Sequence, residues 1–331
     1  MDDAAFLRAR ATLLGLAMGD ALGMPAQTLT RAEIRARYGR ITGFVAPFAG
    51  HPVSHGLRAA QVTDDTEQTL LLARRLIADP VGFDDAGWAR DLLDWEAGIR
   101  AKGLQDLLGP SSRAAIEALL AGASPEVTGA RGTTNGAAMR IAPIGIMTPP
   151  ETAALVARVA RTCRVTHNTG EAIAAAAAVA MTVSCGLAGA DLDAALDPAL
   201  AACRAGQAQG NAVGEPDMAG RIALALRLAE GGDEAALIAG IGSSVASRDS
   251  VPMAFGLLRL ARGDLWQALE RAANVGDDTD TIGAMAGAMA GALGGSVPEA
   301  AAAELHAAND LDLDGVARGL LALRAAAERK P

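Results

Sequence analysis

Three carboxylates fall within four residues at Asp277, Asp278 and Asp280, with Thr281 directly after them. Far earlier in the chain, Thr63-Asp64-Asp65-Thr66-Glu67 forms a second acidic cluster. Like charges this close repel, which costs free energy unless something positive sits among them. Both clusters mix Asp with Thr, a set of hard oxygen donors that suits Mg²⁺, Mn²⁺ or Ca²⁺. Where a loop enters a helix, residues i and i+2 can face one side, so Asp278 and Asp280 can grip one ion. Thr63 and Thr281 can add hydroxyl oxygens. If the two clusters meet in space, four or five carboxylates surround a small volume, which suits two divalent ions sharing bridging carboxylates. The EF-hand loop is absent. Helix capping is the plainer account. Asp64 with Glu67 has the spacing of a capping box, and acidic side chains suit a first turn, as they do at Asp278 and Asp280 before Ile282. A cap needs one carboxylate, however, and both clusters carry a surplus.

Two further segments carry polar chemistry. Gly132 to Arg140, "GTTNGAAMR", reads either as a loop before a helix or as bare amides that let a phosphate approach the backbone. Arg140 need not touch a ligand there. His167 lies in "THNTGEA" and reads either as structural or as a ligand contact. His51 and His55 flank an expected loop that could border a cleft, and His306 has no context.

The elements that must position these residues read as helices. Apolar residues recur three and four apart in long blocks such as "AAFLRARATLLGLAMGDALG" and "TEQTLLLARRLIADP", punctuated by Pro and Gly. Alternating β-branched runs and a βαβ order are absent, so the expectation is an all-α protein. No linker rich in Pro, Ser or charge appears, so residues 1–331 are expected to form a single domain. Gly283, Gly287 and Gly291 recur every four residues behind the second acidic cluster, on one helical face where another helix can approach closely.

Composition narrows the partners. The chain has 331 residues, 51% of them hydrophobic, and a net charge of -9. That argues against broad binding to nucleic acid or to an anionic membrane, both of which need clustered Lys and Arg. The three cysteines, Cys163, Cys185 and Cys203, have no zinc-like spacing and read as buried, reduced thiols. The N-terminus is acidic at once and lacks a signal-peptide pattern, which points to the cytoplasm. Ala172 to Ala190 is uncharged and long enough to span a membrane, but its alanine content predicts a helix buried among other helices.

Six segments occur in order: "GDALGMPAQ" (Gly19 to Gln27), "TDDTEQT" (Thr63 to Thr69), "TTNGAAMRIAPIG" (Thr133 to Gly145), "THNTGEAI" (Thr166 to Ile173), "SVPMAFG" (Ser250 to Gly256) and "GDDTDTIGAMAGA" (Gly276 to Ala288). Together they resemble the ADP-ribosylglycohydrolase family from about Ala11 to Gly295. The resemblance implies a compact multi-helix bundle with a dinuclear Mg²⁺ or Mn²⁺ cleft, and hydrolysis of an N- or O-glycosidic bond at a ribose C1″. It implies Thr63, Asp64, Asp65, Asp278, Asp280 and Thr281 as metal ligands. It places Thr133, Asn135, Gly136 and Met139 beside the diphosphate and ribose of ADP-ribose, and His167 near the ligand.

Asp64 or Asp65 would orient a water or take its proton, and adjacent negative charge would favour an oxocarbenium-like transition state. One position departs from the family pattern. D-A-L-G-x-x-x-E ends here in Gln27, an amide that can offer an oxygen but cannot act as a base near neutral pH. Three readings follow: a hydrolase of ADP-ribosylated protein, a hydrolase of a smaller ribosyl or nucleoside-like substrate, and a non-catalytic ADP-ribose-binding protein. The single tyrosine, Tyr38, leaves few candidates for stacking an adenine.

Overall fold

The computed structural model describes residues 3–103, 109–214 and 217–329. Helices account for nearly all of its regular structure, as the periodicity predicts. In chain order they are α1 (Asp3–Gly23), α2 (Arg31–Tyr38), α3 (Asp64–Ala78), α4 (Asp85–Ala101), α5 (Pro110–Leu120), α6 (Gly136–Met139), α7 (Ala142–Met147), α8 (Thr152–His167) and α9 (Gly170–Leu187). They continue as α10 (Leu192–Gln207), α11 (Met218–Glu230), α12 (Glu234–Ile241), α13 (Ser247–Leu260), α14 (Leu265–Ala272), α15 (Thr279–Ala292), α16 (Glu299–Ala308) and α17 (Leu313–Glu328). Among the described residues, β pairing is limited to two isolated bridges, Thr134 with Ala246 and Thr169 with Asn211.

The centre is built from helices that are apolar on every side, the pattern expected of elements with no solvent face. Every residue of α9 is buried. It is the one described helix long and apolar enough to cross a membrane by composition, and here it lies inside the protein, as its alanines predict. Small residues let neighbours close on it. A Cβ added at Gly145 of α7 would lie 2.6 Å from Ala180 O, and one at Gly186 would lie 2.5 Å from Ala292 O of α15. The three cysteines are free and buried.

Helix α15 is likewise buried throughout, and α1 runs antiparallel against it. The contact is a ladder of glycines on both helices. A Cβ at Gly15 would sit 2.3 Å from Gly287 O, at Gly19 2.0 Å from Gly283 O, and at Gly291 2.1 Å from Ala11 O. The helices therefore touch backbone to backbone, closer than any side chain permits. At the end of the ladder, a Cβ at Gly23 would meet Asp280 Cα at 2.5 Å, and Thr279 Oγ1 donates to Gly23 O at 2.8 Å. The four-residue glycine spacing thus fixes the acidic start of α15 against the C-terminal turn of α1.

Candidate active site

The start of α3 is capped from outside its own sequence. Thr63 is the N-cap residue, but its side chain makes no cap bond. Instead the Asp20 carboxylate, from α1, accepts from Thr63 N at 2.9 Å, Thr63 Oγ1 at 2.7 Å, Thr66 N at 3.1 Å and Thr66 Oγ1 at 2.5 Å. The Asp64–Glu67 capping box allowed by the spacing does not form, and Glu67 accepts from Trp95 Nε1. Asp64 and Asp65 are therefore released from capping. At α15, Asp278 is the N-cap residue and also makes no side-chain cap bond. Asp20 lies outside both acidic clusters in the sequence. Its signal was present: it is the only charged residue between Arg10 and Arg31.

The two acidic helix starts meet. Asp20, Asp64, Asp65, Asp278 and Asp280 are all buried. Burial raises the Asp64 carboxyl well above its ordinary range, and the charges of Asp20 and Asp278 raise it further. Asp65 is raised by burial, then by Asp64, Asp20 and Asp280, and Asp280 by burial, then by Asp278, Asp20 and Asp64. Burial pushes Asp20 up to about 6 against the pull of its threonine bonds, and Asp278 up to about 7 against its bond from Asn135. The positive ends of α3 and α15 face this charge but offset only part of it.

A cavity of about 220 Å³ opens onto the cluster. Asp64, Asp278, Asp280 and Thr281 line it, together with Gln27, Asn135, Gly136 and Met139. Thr63 and Asp65 stand behind this wall. Asp65 Oδ2 lies 3.4 Å from both Thr63 Oγ1 and Thr281 Oγ1, while its buried Oδ1 has no partner among the described residues. Two residues at the rim, Thr28 and Asp277, hold left-handed backbone at φ 66° and 62°. They are tied to each other by Thr28 N donating to Asp277 O at 2.6 Å. Such φ values are unusual for a β-branched residue and concentrate at functional sites.

On the opposite wall, Asn135 Nδ2 donates to Asp278 Oδ2 and to Ser250 Oγ, tying the Gly-Asn loop to the acidic cluster. Gly136 makes room for a protein side chain as well as for the cavity, since a Cβ there would lie 2.8 Å from His167 Cε1. His167 is fully buried behind the wall, and Thr134, whose Oγ1 is 3.0 Å from its Nε2, is the residue that lines the cavity in front of it. Thr133 does not line the cavity, and its carbonyl accepts from Ser247 N. His51 is buried with Nδ1 accepting from Val53 N and Ser54 N, and His55 is exposed. Neither lines the cavity, although Val53 of their loop does.

Gln27 lines the same cavity as Asp64, Asp278 and Asp280, with a defined orientation. Ser54 donates its proton to Met24 O at 2.9 Å, so Ser54 Oγ can only accept from Gln27 Nε2, also at 2.9 Å. That leaves Gln27 Oε1 as the end free for the cavity.

The donor set fits a hard divalent cation. It consists of carboxylate, hydroxyl and amide oxygens, it includes an orphaned buried acceptor, and no Lys or Arg lines the cavity among the described residues. No three His, Cys, Asp or Glu side chains among the described residues are already converged in holding position. An ion would therefore have to draw the carboxylates inward.

Residues 1–330 match the family model described as ADP-ribosylglycohydrolase. The chain belongs to the ADP-ribosylglycohydrolase family. It is 33% identical over 320 residues to the uncharacterized protein YegU of Escherichia coli (strain K12), covering 94% of this chain and 96% of that protein. It is 32% identical over 165 residues to the ADP-ribosyl-[dinitrogen reductase] glycohydrolase of Rhodospirillum rubrum, covering 49% and 51% of the two chains. A solved structure described as an ADP-ribosylglycohydrolase-related protein complex superposes with a TM-score of 0.71 at 25% identity, covering 97% of this chain and 99% of that one. The expected all-α, multi-helix fold and the expected class of enzyme, an ADP-ribosylglycohydrolase-like glycosidase, both hold. Within this ADP-ribosylglycohydrolase frame, the glycine ladder and the Asp20 cap are what bring the α3 and α15 carboxylates together.

Proposed function

We propose that the cavity hydrolyses the bond between C1″ of a ribosyl group and its leaving nitrogen or oxygen, with two Mg²⁺ or Mn²⁺ ions and with ADP-ribose on a protein side chain as the substrate. The observation that carries this reading is the convergence of five buried carboxylates from α1, α3 and the start of α15 beside a cavity that no Lys or Arg lines among the described residues. Asp64, Asp65, Asp278 and Asp280, with Thr63 and Thr281, would hold the ions. The ions would supply Lewis acidity to a water and to ribose hydroxyls. Asp64, which lines the cavity, is better placed than Asp65 to take the proton from the attacking water. The remaining negative charge favours a positive anomeric carbon in the transition state. Gln27, Asn135, Gly136 and Met139 form the ribosyl side, with His167 acting through Thr134, while Thr133 supports the loop from behind through its bond from Ser247. One apolar core draws on helices from α1 to α17, which supports a single domain over residues 1–331, and the free thiols support a cytoplasmic location.

A second reading, a smaller ribosyl or nucleoside-like substrate, is favoured by the cavity itself. Its volume of about 220 Å³ is below the roughly 300 Å³ at which drug-sized pockets begin, and no aromatic ring lines it among the described residues. Turnover of ADP-ribosyl-arginine peptides, ADP-ribosyl-serine peptides and simple ribosides in excess Mg²⁺ or Mn²⁺ separates the readings. Release of free ADP-ribose from a peptide is the expected result. Cleavage of simple ribosides with no gain from the ADP portion selects the second reading, and tight ADP-ribose binding without turnover selects a non-catalytic protein.

Gln27→Glu tests how the cavity handles charge. It would add a carboxylate to the five already present, and Ser54 could reach it only by abandoning Met24 O. The metal-free variant should melt lower than the wild type, and Mn²⁺ should bind about tenfold tighter, because a carboxylate is the stronger hard ligand. Calorimetric titration and paired melts read both. Unchanged values in each would place Gln27 outside the metal environment.

A further inference from the structure

Arg140 ends α6 and is 2% exposed, yet no carboxylate lies within ion-pair distance of it among the described residues. Like Asp20, it is an isolated charge in the sequence, alone between Arg131 and Glu151. A buried cation is expensive unless its donors are used, and here they meet neutral acceptors. Nη1 donates to Gln68 Oε1 at 2.6 Å, Nη2 donates to Thr166 Oγ1, and the guanidinium lies 5.7 Å from the Trp88 ring. Burial lowers the Arg140 pKa only to about 10, so the group stays charged at neutral pH.

Two hydrogen-bonded arms leave this cation, and each has a forced direction because guanidinium only donates. On one arm, Gln68 has its oxygen taken, which turns Nε2 toward Asp64 Oδ2 at 3.4 Å. On the other, Thr166 Oγ1 accepts from Arg140, and the hydroxyl proton is left for His167 Nδ1 at 2.7 Å. An accepting Nδ1 puts the ring proton on Nε2, which then donates to Thr134 Oγ1 at 3.0 Å. Burial holds His167 neutral, as this tautomer requires. Thr134 receives that bond, so its own proton is free for the cavity it lines.

We propose that Arg140 is a positioning residue that orients both walls of the cavity: Asp64 through Gln68, and the Thr134 hydroxyl, through Thr166 and His167, as a donor to an acceptor oxygen of the bound ligand. The identity of that ligand rests on the ribosyl-hydrolase reading, whereas the direction of the arms does not. Thr134 then selects for a phosphate, hydroxyl or ring oxygen and against a group that can only donate.

The test uses the full chain with Mn²⁺ and ADP-ribose as probes. Ring ¹⁵N shifts of wild-type His167 should report the Nε2–H tautomer. Thr166→Val keeps the side-chain shape but removes the relay hydroxyl. It should lose the single tautomer and weaken ADP-ribose binding about tenfold while leaving Mn²⁺ affinity within about twofold. Gln68→Leu should do the reverse, weakening Mn²⁺ about tenfold with the His167 signal unchanged. Arg140→Met should lose both, and should it not fold, the two single-arm variants decide the matter. An Nδ1–H tautomer in the wild type overturns the proposal. So do equal losses of Mn²⁺ and ADP-ribose binding in both single-arm variants, the pattern expected if Arg140 only supports the fold. If wild-type protein fails to bind ADP-ribose, the ADP-ribosyl reading fails, while the tautomer and the Mn²⁺ titrations still decide the arms.

Discussion

Asp64→Asn should lower divalent affinity and glycosidase turnover by about 100-fold or more while raising the melting temperature of the metal-free protein. The loss follows from removing a carboxylate that lines the cavity, given that outer-shell partners alone are typically worth about 10–100-fold. The gain follows from relieved repulsion, because Asp64 is raised by burial and by the charges of Asp20 and Asp278. Asp278→Asn should act in the same sense. The pH dependence has a definite sign. A carboxyl whose folded pKa is raised contributes stability that is fully present below its unfolded value of 3.8 and is lost as pH rises through the folded value. For Asp20 and Asp278 those folded values are about 6 and about 7, so the metal-free wild type should weaken between pH 4 and 7 and the variant's advantage should be greatest above that window. Saturating Mn²⁺, at 100 times its dissociation constant, should restore about 2.7 kcal/mol to the wild type and much less to the variants. Melts at pH 5 and pH 8, with chelator and with Mn²⁺, read every part of this. A variant that keeps wild-type Mn²⁺ affinity would remove that residue from the site.

Gly19→Ala should cost about 3 kcal/mol or more, an unusually large penalty for adding one methyl group. The new Cβ would sit 2.0 Å from Gly283 O and 2.2 Å from Gly283 C, and neither backbone atom can turn aside as a flexible side chain would. The helices would have to separate, carrying Asp20 away from Thr63 and Thr66 and Asp280 away from Asp64. The variant should therefore lose metal binding along with stability. Gly98→Ala is the control: Gly98 lies inside α4 with no described atom within 4 Å of its missing Cβ, so alanine should stabilise by about 0.5–1 kcal/mol. Chemical denaturation of both variants, with Mn²⁺ titration of Gly19→Ala, measures the contrast. A Gly19→Ala protein as stable as the wild type would show that the α1–α15 contact is looser than the glycine ladder requires.

Much of this architecture is local in origin, and to that extent it was legible in the chain. Helix periodicity and the alanine run of α9 depend on neighbours three or four residues away, so they could be read without a fold. The spacing of Gly283, Gly287 and Gly291 announced a close helix contact for the same reason, and the surplus of Asp in two Thr-containing clusters announced a charged site. The partner of each feature was not legible, because it is set by contacts between residues far apart in sequence. That Gly283 meets Gly19, that Asp20 caps α3 and so frees Asp64 and Asp65, and that Asn135 ties the Gly-Asn loop to Asp278 all depend on how the helices cross. The position of Thr134 in front of His167, with Thr133 turned to Ser247, depends on the backbone path of one loop, which residue type does not encode. Residue types determined that this protein would gather carboxylates at helix starts. Tertiary packing decided which of them carry a capping load and which are left bare beside the cavity, because a buried carboxylate's role depends on the donors brought to it and not on its neighbours along the chain.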